Sequence, residues 1–247
     1  MSYELILIIT ATLFVAGILH GSIGFGFPLI ATPIIALFTD MQTAIFFTLI
    51  PTVLVNIISI KSEGSFFNVV KEFFPFAIVS TIGSLLGTFL LIYFNSEWIK
   101  VLLALIIFFY LLMDKFKVKT NIVQQHPKKS LGFFGLGAGV MGGLANAMSP
   151  LLIVYSFESN YTKSQTIQFS NLCFLLGKII QLIIFSFYAV FTPSQMGVSL
   201  STLLVVAIAF FFGVKIRRRI DANSYKIFIK WFLFIMAVML LVQVFGF

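Results

Sequence analysis

Eight long apolar runs follow one another along the chain, at about 5–38, 42–60, 73–94, 97–113, 131–157, 164–190, 196–213 and 227–246. A helix of about 20 apolar residues spans the hydrocarbon core of a bilayer, and in lipid its backbone groups must bond within the segment. This pattern predicts an all-α polytopic membrane protein. Charge agrees, since only 10% of the 247 residues are charged, against about 25% in a soluble domain. The short polar breaks leave no room for a soluble catalytic domain.

Six runs suit one spanning helix each. Runs 5–38 and 131–157 carry glycine-rich interruptions, and the first is too long for one ordinary span. Charge placement predicts how they thread. Lysines 115, 117, 119, 128 and 129 make 114–130 a basic linker, and Lys215, Arg217, Arg218 and Arg219 do the same for 215–226. Both are expected on the cytoplasmic side, so run 131–157 must cross an even number of times, as a hairpin or a re-entrant pair. The same treatment of run 5–38 puts both termini outside and 61–72 inside. All 16 basic residues except Lys100 and Lys178 then lie on or near the cytoplasmic face. The start, Met1-Ser2-Tyr3-Glu4, lacks the positive region of a signal peptide, so the first run is expected to be retained. The expected location is the inner (cytoplasmic) membrane, with multiple passes.

The two halves match in order. Residues 1–113 form a first repeat, a glycine-interrupted hairpin (5–38) with helices at 42–60, 73–94 and 97–113. Residues 131–247 form a second, a hairpin (131–157) with helices at 164–190, 196–213 and 227–246. Five crossing elements per half is an odd number, which predicts two inverted repeats. Interrupted helices at matching places in such repeats mark transporter binding sites.

The first interruption reads His20-Gly21-Ser22-Ile23-Gly24-Phe25-Gly26-Phe27-Pro28, continuing to Thr32-Pro33; the second runs from Gly135 through Gly142-Gly143-Leu144-Ala145-Asn146 to Ser149-Pro150. Aligned on Pro33 and Pro150, Gly26 falls opposite Gly143, and Thr32 opposite Ser149. Thr-Pro and Ser-Pro fit an N-cap followed by the first helical residue. Half-helix N-termini would offer free N–H groups to an anion. Close helix packing is the competing reading of any one glycine. Lys178, with Gln181 one turn on, is a charge in mid-span, which favours a cavity or a partner; snorkelling is the alternative. Its first-half counterpart is Asn56. His20 is a candidate proton site or a packing residue, and Ser170, Asn171, Thr48 and Thr52 are candidate hydrogen-bonding groups. His126 is expected to be solvated. The expected substrate-binding set is Gly21, Ser22, Gly24, Gly26, Thr32, Asn56, Gly143, Asn146, Ser149, Ser170, Asn171, Lys178 and Gln181, with His20 for coupling.

These glycine stretches and their prolines, Gly21 to Gly26 with Pro33 and Gly139 to Gly143 with Pro150, resemble the sulfite exporter TauE/SafE family over nearly the whole chain. The resemblance implies transport of sulfite, sulfonates or other small organic anions. Phe27-Pro28 and Leu144-Ala145 stand where that family carries consecutive glycines, so the particular substrate is not carried over. The expected function is a secondary transporter of a small anion working by alternating access. A passive anion channel and a non-transporting assembly factor are the alternatives.

All eight acids, Glu4, Asp40, Glu63, Glu72, Glu97, Asp114, Glu158 and Asp221, lie at run ends or in loops. That pattern argues against an intramembrane aspartyl protease. With two distant histidines and one cysteine it also predicts no metal site and no cofactor. A nucleophile needs a nearby base, and nothing beyond His20 and Ser22 offers one, so no enzyme is expected. The expected partners are a small anion and the lipid bilayer, with homo-oligomerisation open and no nucleic acid.

Overall fold

A computed structural model describes residues 1–94, 96–113, 122–216 and 222–246. The described residues form eleven helices: α1 (Tyr3–Ile23), α2 (Phe27–Ala36), α3 (Met41–Glu63), α4 (Phe66–Tyr93), α5 (Ser96–Met113), α6 (Ile122–Gln125), α7 (Pro127–Ala145), α8 (Ser149–Glu158), α9 (Lys163–Phe187), α10 (Pro193–Ile216) and α11 (Ala222–Phe245). Five of them, α1, α3, α4, α9 and α10, are long and apolar enough to cross a membrane. Helices α2 and α8 have 10 residues each. At 1.5 Å per residue that is about 15 Å, half the hydrocarbon core of about 30 Å.

Each glycine-interrupted run therefore holds one long and one half-length helix. The interruptions lie at Gly24–Gly26 and Asn146–Met148. Gly24 (φ 100°) and Asn146 (φ 61°) adopt left-handed backbone and end α1 and α7. Gly26 (φ 93°) opens α2. Glycine takes this conformation without steric cost, and asparagine is among the few others that visit it.

These breaks correct the expected register. Pro28, not Pro33, sits in the first turn of α2, where its missing N–H is harmless. Thr32 is not an N-cap but lies buried inside α2, with Pro33 beside it. Ser149 is the first residue of α8, whose N-cap is Met148. Gly143 lies within α7, short of its break. The hairpin also starts earlier than expected: α7 opens on Pro127, so Lys128 and Lys129 belong to its first turn. The basic residues at 115, 117, 119 and 217–219 lie outside the described residues.

Helix α4 shows why these elements pack as they do. Phe74, Ile78, Ile82, Leu86 and Leu90 recur every four residues and are exposed. The opposite stripe, Ala77, Ser80, Ser84 and Thr88, is buried. Large apolar groups outward and small or polar groups inward is the reverse of a soluble helix and suits lipid outside. The small stripe lets α4 and α7 approach until a Cβ on Gly139 would meet the carbonyl oxygen of Ser80, and one on Gly143 that of Ser84. Small-residue stripes of this kind bring membrane helices into backbone contact. Helices α1 and α10 meet the same way, through Gly21 against Phe210 and Gly213 against Ile18. Helix α3 packs on α9, and α5 on α11.

The helix ends sort onto two faces. On one, Ser164 Oγ donates to Glu63 O (3.3 Å), Gln165 Nε2 to Glu72 Oε1 (2.9 Å) and Gln124 Nε2 to Glu158 O (3.3 Å). On the other, Met41 N donates to Ser96 Oγ (2.7 Å), Gln42 Nε2 to Leu91 O (3.2 Å) and Gln243 Nε2 to Leu37 O (3.0 Å).

Candidate functional site

The polar residues of the interior collect around the two breaks and the central helices α3 and α9. A stripe on α3, Thr48, Thr52, Asn56 and Ser59, repeats at three and four residues and is buried, so it faces one side of the helix. On α9, Ser170, Asn171, Lys178 and Gln181 are buried in the same fashion.

At the second break the arrangement crosses between the halves. Asn146 Nδ2 donates to Thr32 Oγ1 of α2 and to Thr48 Oγ1 of α3, both at 2.7 Å. Its Oδ1 is buried and has no partner among the described residues, and the same holds for Ser149 Oγ. At the first break Asn171 Nδ2 of α9 donates to Gly24 O (2.6 Å) and to Ile167 O (2.7 Å). Asn171 Oδ1 and Ser170 Oγ are likewise left over among the described residues. A buried polar atom without a partner costs about 1–3 kcal/mol, so four around two breaks call for something to satisfy them.

Lys178 is 1% exposed. Its ammonium donates to Gln181 Oε1 (2.5 Å) and to Gly142 O (3.3 Å), one turn before Asn146. Gln181 Nε2 in turn donates to Gly143 O (2.7 Å). Both acceptors of Lys178 are neutral, so these contacts hydrogen-bond the ammonium without neutralising it. On α3, Asn56 Nδ2 is a buried donor with no partner among the described residues.

His20 closes the first break from the α1 side. Its Nδ1 accepts the N–H of Phe27, the first residue of α2, at 3.2 Å. With Nδ1 an acceptor, the neutral ring carries its proton on Nε2, which donates to Ser59 Oγ at 3.0 Å. The imidazole thus does for α2 what a Ser or Asp side chain does at an ordinary N-cap.

The remaining expected residues divide. Ser22 Oγ donates to Ile18 O (2.8 Å) and to Gly213 O (3.1 Å), tying α1 to α10. Gly21 and Gly143 face the backbones of α10 and α4, so their side of the helix is a packing contact. A Cβ at Gly24 would meet Ile167, while at Gly26 it would find open space within 4 Å. His126 is exposed. The sequence reading missed Ser59 and Gly142. Ser59 was recoverable as the next member of the Thr52–Asn56 stripe. Gly142 acts through its carbonyl, which no side-chain pattern reveals. Among the described residues no group of three or more His, Cys, Asp or Glu is placed to hold a metal ion.

The fold and its buried polar centre define a multi-pass, all-helical membrane protein with two broken helical hairpins. The chain belongs to the sulfite exporter TauE/SafE family, a family of membrane transporters, whose model matches residues 9–240. No curated protein and no solved structure shows significant similarity to it.

Proposed function

We propose that the chain is a secondary transporter that moves a small sulfur-containing oxyanion, sulfite or a sulfonate, across the cytoplasmic membrane by alternating access of two inverted halves. The observation that carries the anion is Lys178: a buried ammonium whose acceptors are both neutral. A charge at this depth is expected to face a cavity or a partner, and a bound oxyanion would neutralise it. Asn56 Nδ2, Ser149 Oγ and Ser170 Oγ are further buried donors left over, suited to oxygens of the same ligand. His20 would carry the coupling proton.

Inverted halves are supported by a constant offset. Phe27 to Ser149 and Met41 to Lys163 are both separations of 122 positions, joining the starts of α2 with α8 and of α3 with α9. The same offset joins Gly24 with Asn146, Asn56 with Lys178 and Ser59 with Gln181. It also carries the crossing of Gly21 on Phe210 onto that of Gly143 on Thr88. Five elements per half would make the second insert upside down, and the binding site of such folds lies at the repeat interface.

Uptake of labelled sulfite, methanesulfonate and acetate into proteoliposomes tests the proposal. Saturable uptake of a sulfur oxyanion, exceeding that of acetate, is expected. Uptake that rises linearly with concentration would identify a channel, and no uptake of any of the three would leave the assembly-factor reading.

A further inference from the structure

The contact between His20 and α2 reverses its sense when the ring gains a proton. As the neutral imidazole, His20 accepts the Phe27 N–H at Nδ1 (3.2 Å) and donates from Nε2 to Ser59 Oγ (3.0 Å). An imidazolium donates at both nitrogens. Nδ1–H would then oppose the Phe27 N–H, two donors facing each other, and the cap of α2 would be lost. Meanwhile Asn171, fastened to the same break by Nδ2 on Gly24 O (2.6 Å), holds a buried Oδ1 with no hydrogen-bond partner among the described residues.

We infer that His20 binds the coupling proton at Nδ1, that Asn171 Oδ1 accepts it there, and that the exchange frees the N-terminus of α2 for the anion. The inference rests on the transport reading and deepens it, because one event then links the two ligands. The proton comes from water on the open side. The N–H···N bond from Phe27 breaks, an N–H···O bond to Asn171 forms, and the Phe27 N–H becomes available to an oxyanion at a positive helix end. The anion and the proton favour the same state, so each promotes the binding of the other. Proton and anion would move in the same direction.

The groups facing the ring are neutral on every packed element: the Phe27 backbone and ring from α2, Ser59 from α3, Asn171 from α9 and Phe210 from α10. Lys178 stands seven positions beyond Asn171, about 10 Å along α9. The device therefore has one titrating group.

Hydrogen exchange of the ligand-free protein over residues 25–31 tests the switch without requiring a known substrate. After correction for the intrinsic pH dependence of exchange, the wild type is expected to lose protection at Phe27 between pH 8 and pH 5. His20→Asn offers a fixed acceptor near the place of Nδ1 and should keep that protection at both values. Asn171→Asp puts a carboxylate against the ring, favours the imidazolium, and should move the loss toward higher pH. Either variant suffices should the other fail to fold. In proteoliposomes, methanesulfonate carries no proton of its own in this range. Its steady-state accumulation by the wild type should rise by up to about tenfold for one unit of inward pH gradient, the limit for one proton moved with each anion, and His20→Asn should lose that dependence. Unchanged protection at Phe27 across the pH range would overturn the inference while leaving transport untouched. Protection that does respond, in a protein showing no methanesulfonate or sulfite uptake, would sink the transport reading and keep the switch.

Discussion

Lys178 and Asn146 do different work in the same polar centre, and substitution should separate them. If the Lys178 ammonium holds the anion, Lys178→Met removes a charge-assisted hydrogen bond of about 1–3 kcal/mol, which lowers affinity roughly fivefold to a hundredfold. Lys178→Arg keeps the charge and should retain part of the binding. Calorimetry on the purified variants reads both, and unchanged affinity in a folded Met variant would take Lys178 out of the site. Asn146 is instead a fastening: it holds left-handed backbone and gives two 2.7 Å hydrogen bonds to the other half. Asn146→Ala should cost about 1–2 kcal/mol for the backbone and about 1 kcal/mol for each bond lost. Thr48→Val, which removes one acceptor, should lower the thermal unfolding midpoint less than Asn146→Ala does. Much of this centre was legible as residue types, because a lysine, two asparagines and a histidine inside apolar runs stand out on cost alone. Their pairings were not. Asn146 and Thr48 are 98 positions apart, Asn171 and Gly24 147 apart, and only the packed helices bring them together.

At the scale of elements, the glycines fall into two physical kinds that the sequence does not distinguish. Gly143 lies at a helix crossing, where a side chain would collide with the backbone of α4 at Ser84 and Thr88. Gly143→Val should therefore prevent the α4–α7 contact and abolish recovery of folded protein. Gly26 has room for a Cβ, but its φ of 93° makes any side chain strained. Gly26→Ala should fold with a loss of about 1–2 kcal/mol. Expression and size-exclusion profiles of the two variants check the contrast; a folded, monodisperse Gly143→Val protein would contradict it. The existence of two interrupted hairpins was readable from glycine density, but their register was not. Thr32-Pro33 fits a helix start in the sequence, yet Gly26-Phe27-Pro28 is the one that opens α2. The second won because Gly24 and Gly26 take the left-handed turn and His20 caps Phe27, a contact between residues the local pattern treats separately. Residues 114–130 read as a basic linker, whereas Pro127 at the first helical position starts α7 four residues earlier than expected.

For the whole molecule, the hydrogen bonds at the helix ends divide it into two faces, and the charges divide the same way. Lys61, Lys71, Lys128, Lys129, Lys163 and Lys215 belong to the face where Glu63 meets Ser164, while Asp40, Glu97 and Lys100 belong to the other. By the positive-inside bias the first face is expected to be the cytoplasmic one. Single cysteines in a Cys173→Ala background should then be labelled by an impermeant reagent from outside intact cells at position 40 but not at position 124; the reverse pattern would invert the molecule. The polytopic class followed from the apolar runs, because nothing but lipid accommodates them. The exchange of partners, α1 with α10 and α4 with α7, did not, since it depends on small-residue stripes meeting across the halves. The account stands on the claim that these halves carry an anion between two access states. Counterflow tests that most directly: proteoliposomes preloaded with unlabelled sulfite are diluted into trace labelled sulfite, and internal label is followed over time. The account expects label to accumulate transiently above equilibrium, faster than in unloaded vesicles, and Lys178→Met to weaken the effect. Label that enters at the same rate with and without internal sulfite, or that does not enter, would contradict it.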